Sequence, residues 1–235
     1  MHSEILFVGA SSSIKAVIYD CDGVLLDSEP LYTEAANQVL REFGKELSIE
    51  LKKTLMGHSE EFAAQTVVEQ FDLPLSHAEY AKRVRLSENA LFPNVEMITG
   101  ALEAVQTFYP KVPLALATSS NVNGFKIKMS NHSQLLSYFR VIVTGDQVER
   151  CKPAPDIFLK ALSGINALMR ESINANEVLV VEDSIAGVTA ALEAGMKVAW
   201  LLDPRFAPDP DSIPRALLKV PCFSTHSEIL AKLNH

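Results

Sequence analysis

The sequence predicts an α/β fold, in which a doubly wound parallel sheet is joined to a small all-helical domain. Five short runs rich in Val, Ile or Leu lack the polar alternation of half-exposed strands, a pattern typical of strands buried on both faces of a parallel sheet. Amphipathic helical stretches lie between most of these runs. One long segment, residues 28–98, contains no convincing strand and about four such helical stretches.

The elements of the sheet domain follow from apolar runs and helix end signals. The predicted strands are Ile14–Tyr19, Val112–Ala117, Val141–Val143, Val178–Val181 and Val198–Leu202. The predicted helices are Thr99–Tyr109, Asp156–Met169 and Ile185–Ala194. The last helix has a favourable N-cap at Asp183 or Ser184 and is followed by Gly195, a usual C-terminal stop. Alternating strands and helices build an open, doubly wound sheet.

The segment 28–98 is a candidate helical insert that follows the first strand. Its predicted helices are Leu31–Phe43, Ser48–Met56, Phe62–Phe71 and Ser76–Leu91. Because open α/β sheets bind ligands at the carboxyl edge of the strands, an insert at this place is expected to overhang the ligand. The expected domains are therefore a core of residues 1–27 and 99–235 and a lid of residues 28–98. His58, between two lid helices, is either a substrate contact or a solvated loop residue.

Composition excludes several classes of protein. A formal net charge of −8 over 235 residues argues against general binding to nucleic acid or to anionic membranes. No apolar run approaches the ~20 residues of a membrane helix, and Met1–Ser13 lacks the basic end and the apolar length of a secretory signal. Three widely spaced cysteines without a C-x-x-C pair are typical of reduced thiols. We expect a cytoplasmic monomer.

Polar residues follow four of the predicted strands and are expected to meet at one edge of the sheet. They are Asp20-Cys21-Asp22-Gly23, Thr118-Ser119-Ser120, Lys152-Pro153 and Glu182-Asp183-Ser184. Carboxylates are hard oxygen ligands for Mg²⁺, which bridges to phosphate oxygens. A hydroxyl, backbone N–H groups and a lysine can hold the remaining oxygens of a phosphate. The set therefore predicts a phosphate site beside a divalent cation.

The same residues suggest a two-step reaction. The Asp20 carboxylate is suited to attack phosphorus, while Mg²⁺ and Lys152 offset the negative charge that builds up. Asp22 is suited to protonate the leaving alcohol and then to deprotonate water. Non-catalytic interpretations remain open for the other residues: Thr118–Ser120 and Asp183 as helix N-caps, and Lys152 as a solvated surface lysine.

The four clusters resemble, in order and spacing, the motifs of haloacid dehalogenase-type phosphatases. These motifs are Asp20–Ser28, Ala117–Ser120, Lys152–Asp156 and Val181–Ser184, and the resemblance spans Ile14 to Leu202. A narrower resemblance, to the pseudouridine-5′-phosphatase-like branch, is carried by Leu114–Ser120, Phe125-Lys126, Ser130–His132, Val143–Asp146 and Pro155–Phe158.

The resemblance implies roles for individual residues. Asp20 is implied to be the nucleophile and Asp22 the general acid and base, with Thr118 and Lys152 on the transferred phosphoryl group and Ser119 and Ser120 as further substrate-binding residues. It implies that Mg²⁺ is held by the Asp20 side chain, the Asp22 backbone carbonyl and Asp183, with Glu182 a direct or outer ligand. The helical insert corresponds to the family's cap.

The expected function is Mg²⁺-dependent hydrolysis of a small phosphorylated metabolite, a nucleoside or sugar monophosphate such as pseudouridine 5′-phosphate. Two alternatives remain open: a phosphosugar mutase with the same core, and a non-catalytic module that binds a phosphorylated ligand. Mutases of this kind carry a His where this chain has Tyr32 and an Arg near the position of Glu60, so both positions favour hydrolysis.

Overall fold

The computed structural model describes residues 13–55, 60–208, 211 and 213–233, so His58 lies outside the described residues. The chain divides into two compact units. The first contains the residues up to Asp27 and those from Glu96 onward, and the second is Ser28–Val95. The second unit begins at Ser28, the predicted first residue of the helical insert. It ends at Val95, three residues before the predicted end of the insert at residue 98.

The first unit is built on a parallel sheet. Its strands are Ala16–Tyr19 (β1), Leu114–Thr118 (β2), Val141–Thr144 (β3), Val178–Glu182 (β4), Lys197–Leu201 (β5) and Cys222–Phe223 (β6). In the described part of the chain they form one six-stranded sheet of order β3-β2-β1-β4-β5-β6. The chain steps outward from β1 to β3 on one side and from β4 to β6 on the other. The strand order therefore reverses beside β1, where sheets of this type bind their ligands.

The five predicted strands are confirmed with small shifts at their ends, and β6 is an addition. Every residue of β1, β2 and β4 is buried, which is why their sequences read as uninterrupted apolar runs. Trp200, on β5, is 1% exposed and belongs to the core, as predicted.

Helices surround this sheet. Those of the first unit are Ala101–Phe108 (α5), Val122–Lys128 (α6), Ser133–Leu136 (α7), Asp156–Leu168 (α8), Ile185–Glu193 (α9) and His226–Leu233 (α10). Helix α8 packs on β2 and β3, and its Phe158 is fully buried in the main apolar core. Helices α6, α7 and α10 were not predicted. The first two have only seven and four residues, and α6 contains Gly124, so neither carries a clear helical period.

Of the N-cap interpretations, Ser184 is confirmed, whereas Asp183 and Thr118–Ser120 are wrong. Helix α9 is capped by Ser184, whose Oγ accepts a hydrogen bond from the Gly187 N–H at 3.0 Å, so Asp183 is not its cap. Helix α6 is capped by Asn121, whose side chain accepts from the Gly124 N–H at 2.9 Å. Thr118–Ser120 therefore do not cap the following helix.

The second unit is all-helical in its described residues. Its helices are Glu29–Arg41 (α1), Ile49–Leu55 (α2), Glu60–Phe71 (α3) and His77–Leu91 (α4). Helices α1 and α3 both pack against α4, around an apolar cluster that includes Leu40, Val67 and Tyr80. Within the described residues of both units, no helix combines the length and the hydropathy that a membrane span requires.

Candidate active site

The strand-end residues of the first unit lie together at the carboxyl edge of the sheet. Asp20 directly follows β1, and its N–H donates to the Val181 carbonyl of β4 at 3.0 Å. Thr118 is the last residue of β2 and Glu182 is the last residue of β4. All three are buried, because the neighbouring strands extend to the same level on both sides of β1.

Lys152 joins residues from three strand ends. Its ammonium donates to Asp20 Oδ1 and Glu182 Oε1, both at 2.5 Å, and approaches the Ala117 carbonyl at 3.3 Å. The side chain is 5% exposed and lies over the ring of Phe158, 5.0 Å from its centroid. A solvated surface position for Lys152 is therefore excluded.

Asp20, Glu182 and Asp183 form a cluster of carboxylates. Each offers one oxygen, and the three oxygens lie within 4.8 Å of one another. Asp183 fits there because Gly23 has no side chain: a Cβ at residue 23 would stand 2.1 Å from Asp183 Oδ2. The Gly23 φ of +75° is a second reason for glycine at this turn.

Burial and mutual repulsion set the charge states in this cluster. Burial raises the pKa of Asp20 to about 7, despite the opposing effect of Lys152, and the carboxylates of Glu182 and Asp22 add to the rise. Burial alone would lower the pKa of Lys152, but Asp20 and Glu182 outweigh it and raise that pKa. The Lys152 ammonium therefore stays charged.

Glu182 has both carboxylate oxygens engaged. Oε1 accepts from Lys152, and Oε2 accepts from the Ser184 N–H at 2.9 Å and from its hydroxyl at 3.1 Å. Gly187 of α9 faces this carboxylate, and a Cβ there would lie 1.8 Å from Glu182 Oε1. Glycine at position 187 thus makes room for the acid that holds Lys152.

We expect Gly187→Ala to destabilise the fold, although alanine normally stabilises a helix. The new methyl group would displace Glu182 from Lys152, and overpacking of this kind costs about 1–3 kcal/mol. At Gly124 of α6 a Cβ would meet only Asn121 Oδ1 at 3.6 Å, so Gly124→Ala should raise stability by about 0.5–1 kcal/mol. Urea unfolding of both variants tests this expectation, and equal stability of the two would contradict it.

Asp22 lies among donors from β2, from the loop that follows it and from α6. Its Oδ2 accepts from the Ser120 hydroxyl at 3.1 Å, and the Thr118 hydroxyl approaches it at 3.4 Å. The ammonium of Lys128 contacts both carboxylate oxygens, with 2.5 Å to Oδ2. Lys128 is fully buried, and sequence reasoning missed it. The available signal was its spacing from Phe125, because residues three apart share the buried face of a short helix.

The loop after β2 is anchored to the loop after β3. The Gly145 N–H donates to the Ser120 carbonyl at 2.9 Å, and a Cβ at Gly145 would stand 2.3 Å from the Ser119 carbonyl oxygen. The Ser120 N–H donates to the Thr118 hydroxyl at 3.1 Å. Ser119 itself is exposed, so Ser120, and not Ser119, is brought into contact with the acidic residues.

The donor set suits a divalent cation such as Mg²⁺. Asp20, Asp22, Glu182 and Asp183 carry four formal negative charges, and Lys128 and Lys152 supply two positive ones. The remaining charge of −2 matches one divalent ion, and carboxylate oxygens are the ligands that Mg²⁺ prefers. Because Glu182 already binds Lys152 and Ser184, Asp20 and Asp183 are the better placed side-chain ligands.

The chain is similar to several known proteins. A model of the haloacid dehalogenase-like hydrolase family matches residues 17–201. The chain is 39% identical over 199 residues to "Probable pseudouridine-5'-phosphatase" of Drosophila melanogaster, across 83% of this chain and 84% of that protein. It is 35% identical over 198 residues to "(DL)-glycerol-3-phosphatase 2" of Arabidopsis thaliana, across 82% of this chain and 81% of that one.

A solved structure shows the same similarity in three dimensions. The crystal structure of a HAD family hydrolase from Deinococcus radiodurans R1, with bound phosphate and sodium, superposes with a TM-score of 0.77. The two chains are 25% identical, and the superposition covers 94% of this chain and 96% of that one.

Proposed function

The chain belongs to the haloacid dehalogenase-like hydrolase family, and we propose that it is a Mg²⁺-dependent phosphatase that hydrolyses small phosphomonoesters through an aspartyl-phosphate at Asp20. One observation carries the proposal: a buried lysine binds Asp20 and Glu182 at the strand ends, beside Asp183. A nucleophile, a fixed cation and a set of metal ligands are the parts that phosphoryl transfer needs.

In the first proposed step, an Asp20 oxygen attacks phosphorus and the bond from phosphorus to the ester oxygen breaks. The electron pair leaves with the alcohol oxygen, which takes a proton from the carboxylic acid form of Asp22 and leaves Asp22 as the carboxylate. Lys152 stays beside Asp20 and offsets the charge on the phosphoryl oxygens, while Thr118, Ser119 and Ser120 offer hydroxyl and backbone N–H donors to them.

In the second proposed step, Asp22 takes a proton from a water molecule whose oxygen attacks the phosphorus of the aspartyl-phosphate. The bond from phosphorus to the Asp20 oxygen breaks, which releases inorganic phosphate and restores the carboxylate. Mg²⁺, held by Asp20, Asp183 and the Asp22 carbonyl, would supply Lewis-acid stabilisation of phosphoryl charge in both steps.

We propose that Ser28–Val95 is the cap domain of this phosphatase. The unit has its own apolar core, and its two connections are joined to each other within the first unit. The Asp27 N–H donates to the Glu96 carbonyl at 2.9 Å, and Leu26 and Met97 form an antiparallel bridge. The two ends of the segment therefore leave and re-enter the first unit side by side, as expected of a domain inserted into another.

The proposed substrate class is a nucleoside or sugar monophosphate, pseudouridine 5′-phosphate among them. The names of relatives support small phosphomonoesters in general: pseudouridine phosphate for one and glycerol 3-phosphate for another. Tyr32, which packs edge-on against Phe92, stands where a mutase has its His, and this favours hydrolysis over isomerisation. We further propose a cytoplasmic monomer, whose three cysteines are free thiols.

A panel of phosphorylated metabolites tests the proposal. With Mg²⁺ present, we expect phosphate release from several small phosphomonoesters, ranked by kcat/KM, and none from phosphoproteins. Hexose 1-phosphate should yield inorganic phosphate and free sugar, whereas a mutase would yield the 6-phosphate. Absence of phosphate release from every ester, with ligand binding intact, would instead indicate a non-catalytic binding protein.

A further inference from the structure

Lys128 is a buried lysine to which the proposed reaction assigns no role. It is the last residue of α6, and its side chain is 0% exposed. Its ammonium contacts both oxygens of Asp22 and donates to the Ser120 hydroxyl at 2.7 Å. A buried ammonium is costly unless it is paired and hydrogen-bonded, so these contacts are what makes its burial tolerable.

Asp22 needs an attractive partner to stay at the site. The Asp22 carboxylate acts on Asp20 as a like charge, and the cluster beside it holds two further acids, Glu182 and Asp183. The Asp22 side chain is 21% exposed, so rotation toward water is open to it. Lys128 opposes that rotation, because the rotation would leave the buried Lys128 ammonium without its charged partner.

The two aspartates of the D-x-D motif therefore have separate cations. Lys152, from the loop before α8, binds Asp20, and Lys128, from α6, binds Asp22. Each ammonium also has a second partner that fixes it, Glu182 for Lys152 and Ser120 for Lys128. Two carboxylates that are only two residues apart in sequence are thus held in different environments, as two different chemical roles require.

We propose that Lys128 is a positioning residue for Asp22, which together with Ser120 holds this carboxylate where it can exchange a proton with the leaving oxygen. The inference rests on the proposed function and extends it to a residue outside the four motifs. It assigns Lys128 no contact with the transferred phosphoryl group. Replacement of Lys128 should therefore lower activity in the same way as replacement of Asp22, but by a smaller factor.

The leaving group distinguishes this role from a structural one. An alkyl phosphate releases a strongly basic alkoxide and needs its proton from Asp22, whereas p-nitrophenyl phosphate releases a stable anion and does not. The quantity to compare is kcat/KM, because it covers the steps up to the first transfer. A general defect in folding or in phosphate binding would lower kcat/KM by the same factor for both esters.

The experiment measures kcat/KM of Lys128→Met for p-nitrophenyl phosphate and for the best alkyl phosphate of the panel, at saturating Mg²⁺. We expect a loss of about 100-fold for the alkyl ester and less than about 10-fold for the aryl ester, with Asp22→Asn showing the same pattern. Lys126→Met removes an exposed lysine of the same helix and should leave both values unchanged. Equal losses for the two esters, or an effect confined to KM, would overturn the proposal.

A double variant keeps the proposal testable if Lys128→Met does not fold. Asp22→Asn with Lys128→Met removes both charges and leaves no buried ion unpaired. Its kcat/KM should match that of Asp22→Asn alone to within about 2-fold, since residues that act as a unit are not additive. A further tenfold loss would show that Lys128 acts independently of Asp22. An inactive wild-type protein would reject the proposed function itself, a result distinct from these.

Discussion

Asp20→Asn is expected to abolish phosphate release, by a factor on the order of 10⁴ or more. An amide oxygen is a poor nucleophile, so no aspartyl-phosphate forms. The fold should persist, because Lys152 keeps Glu182 as a partner and the substitution removes one of several crowded negative charges. Activity on p-nitrophenyl phosphate and acid-quenched transfer of labelled phosphate to the protein both measure the loss.

A matched control is available in the second unit. Asp72 is exposed and has a φ of +48°, a conformation that Asn adopts as readily as Asp, so Asp72→Asn should change neither stability nor turnover. Turnover by Asp20→Asn at more than about one per cent of the wild-type rate, or a phosphate label retained in that variant, would reject Asp20 as the nucleophile.

Removal of the divalent ion is expected to have an effect of similar size. Treatment with EDTA should reduce phosphate release to background, and Mg²⁺ should restore it. The affinity for Mg²⁺ should also depend on pH, because the pKa of Asp20 is about 7 in the metal-free protein. Below pH 7 the ion must displace a proton from this carboxyl, so affinity should fall about tenfold per pH unit, and above pH 7 it should level off.

Calorimetry in buffers of different ionisation enthalpy measures the displaced proton. At pH 6 nearly one proton should be released for each Mg²⁺ bound, and at pH 8 almost none. Asp20→Asn has no proton to lose at this position and should bind Mg²⁺ weakly with a flatter pH dependence. The same affinity at pH 6 and pH 8 in the wild-type protein would contradict the expectation.

The sheet and its order of elements were predictable because buried strands have a distinctive amino-acid composition. Strands covered on both faces become runs of Val, Ile and Leu, and five of them were visible in the sequence. Strand β6 has two residues, Cys222–Phe223, and follows Pro221, so it has neither the length nor the periodicity that would identify it.

The candidate site was predictable to the extent that its residues stand at strand ends. Asp20, Thr118 and Glu182 follow from the topology of a parallel sheet, since such positions share one edge. The position of Lys128 does not follow from this topology, because it depends on contact with Asp22, which lies 106 residues earlier in the chain. A lysine in a short helix is usually solvated, and only the packing of α6 shows that this one is buried.

The central position of β1 has a consequence for how the protein is made. Ala16 of β1 pairs with Val178 of β4, and Val17 pairs with Leu114 of β2, so β1 leaves the ribosome well before either of its neighbours. At 5–20 residues per second, β4 follows roughly 10–30 s later. Until β4 has emerged, β1 can pair only with β2, so one edge of this apolar strand stays uncovered and nascent chains of this protein should depend on chaperones.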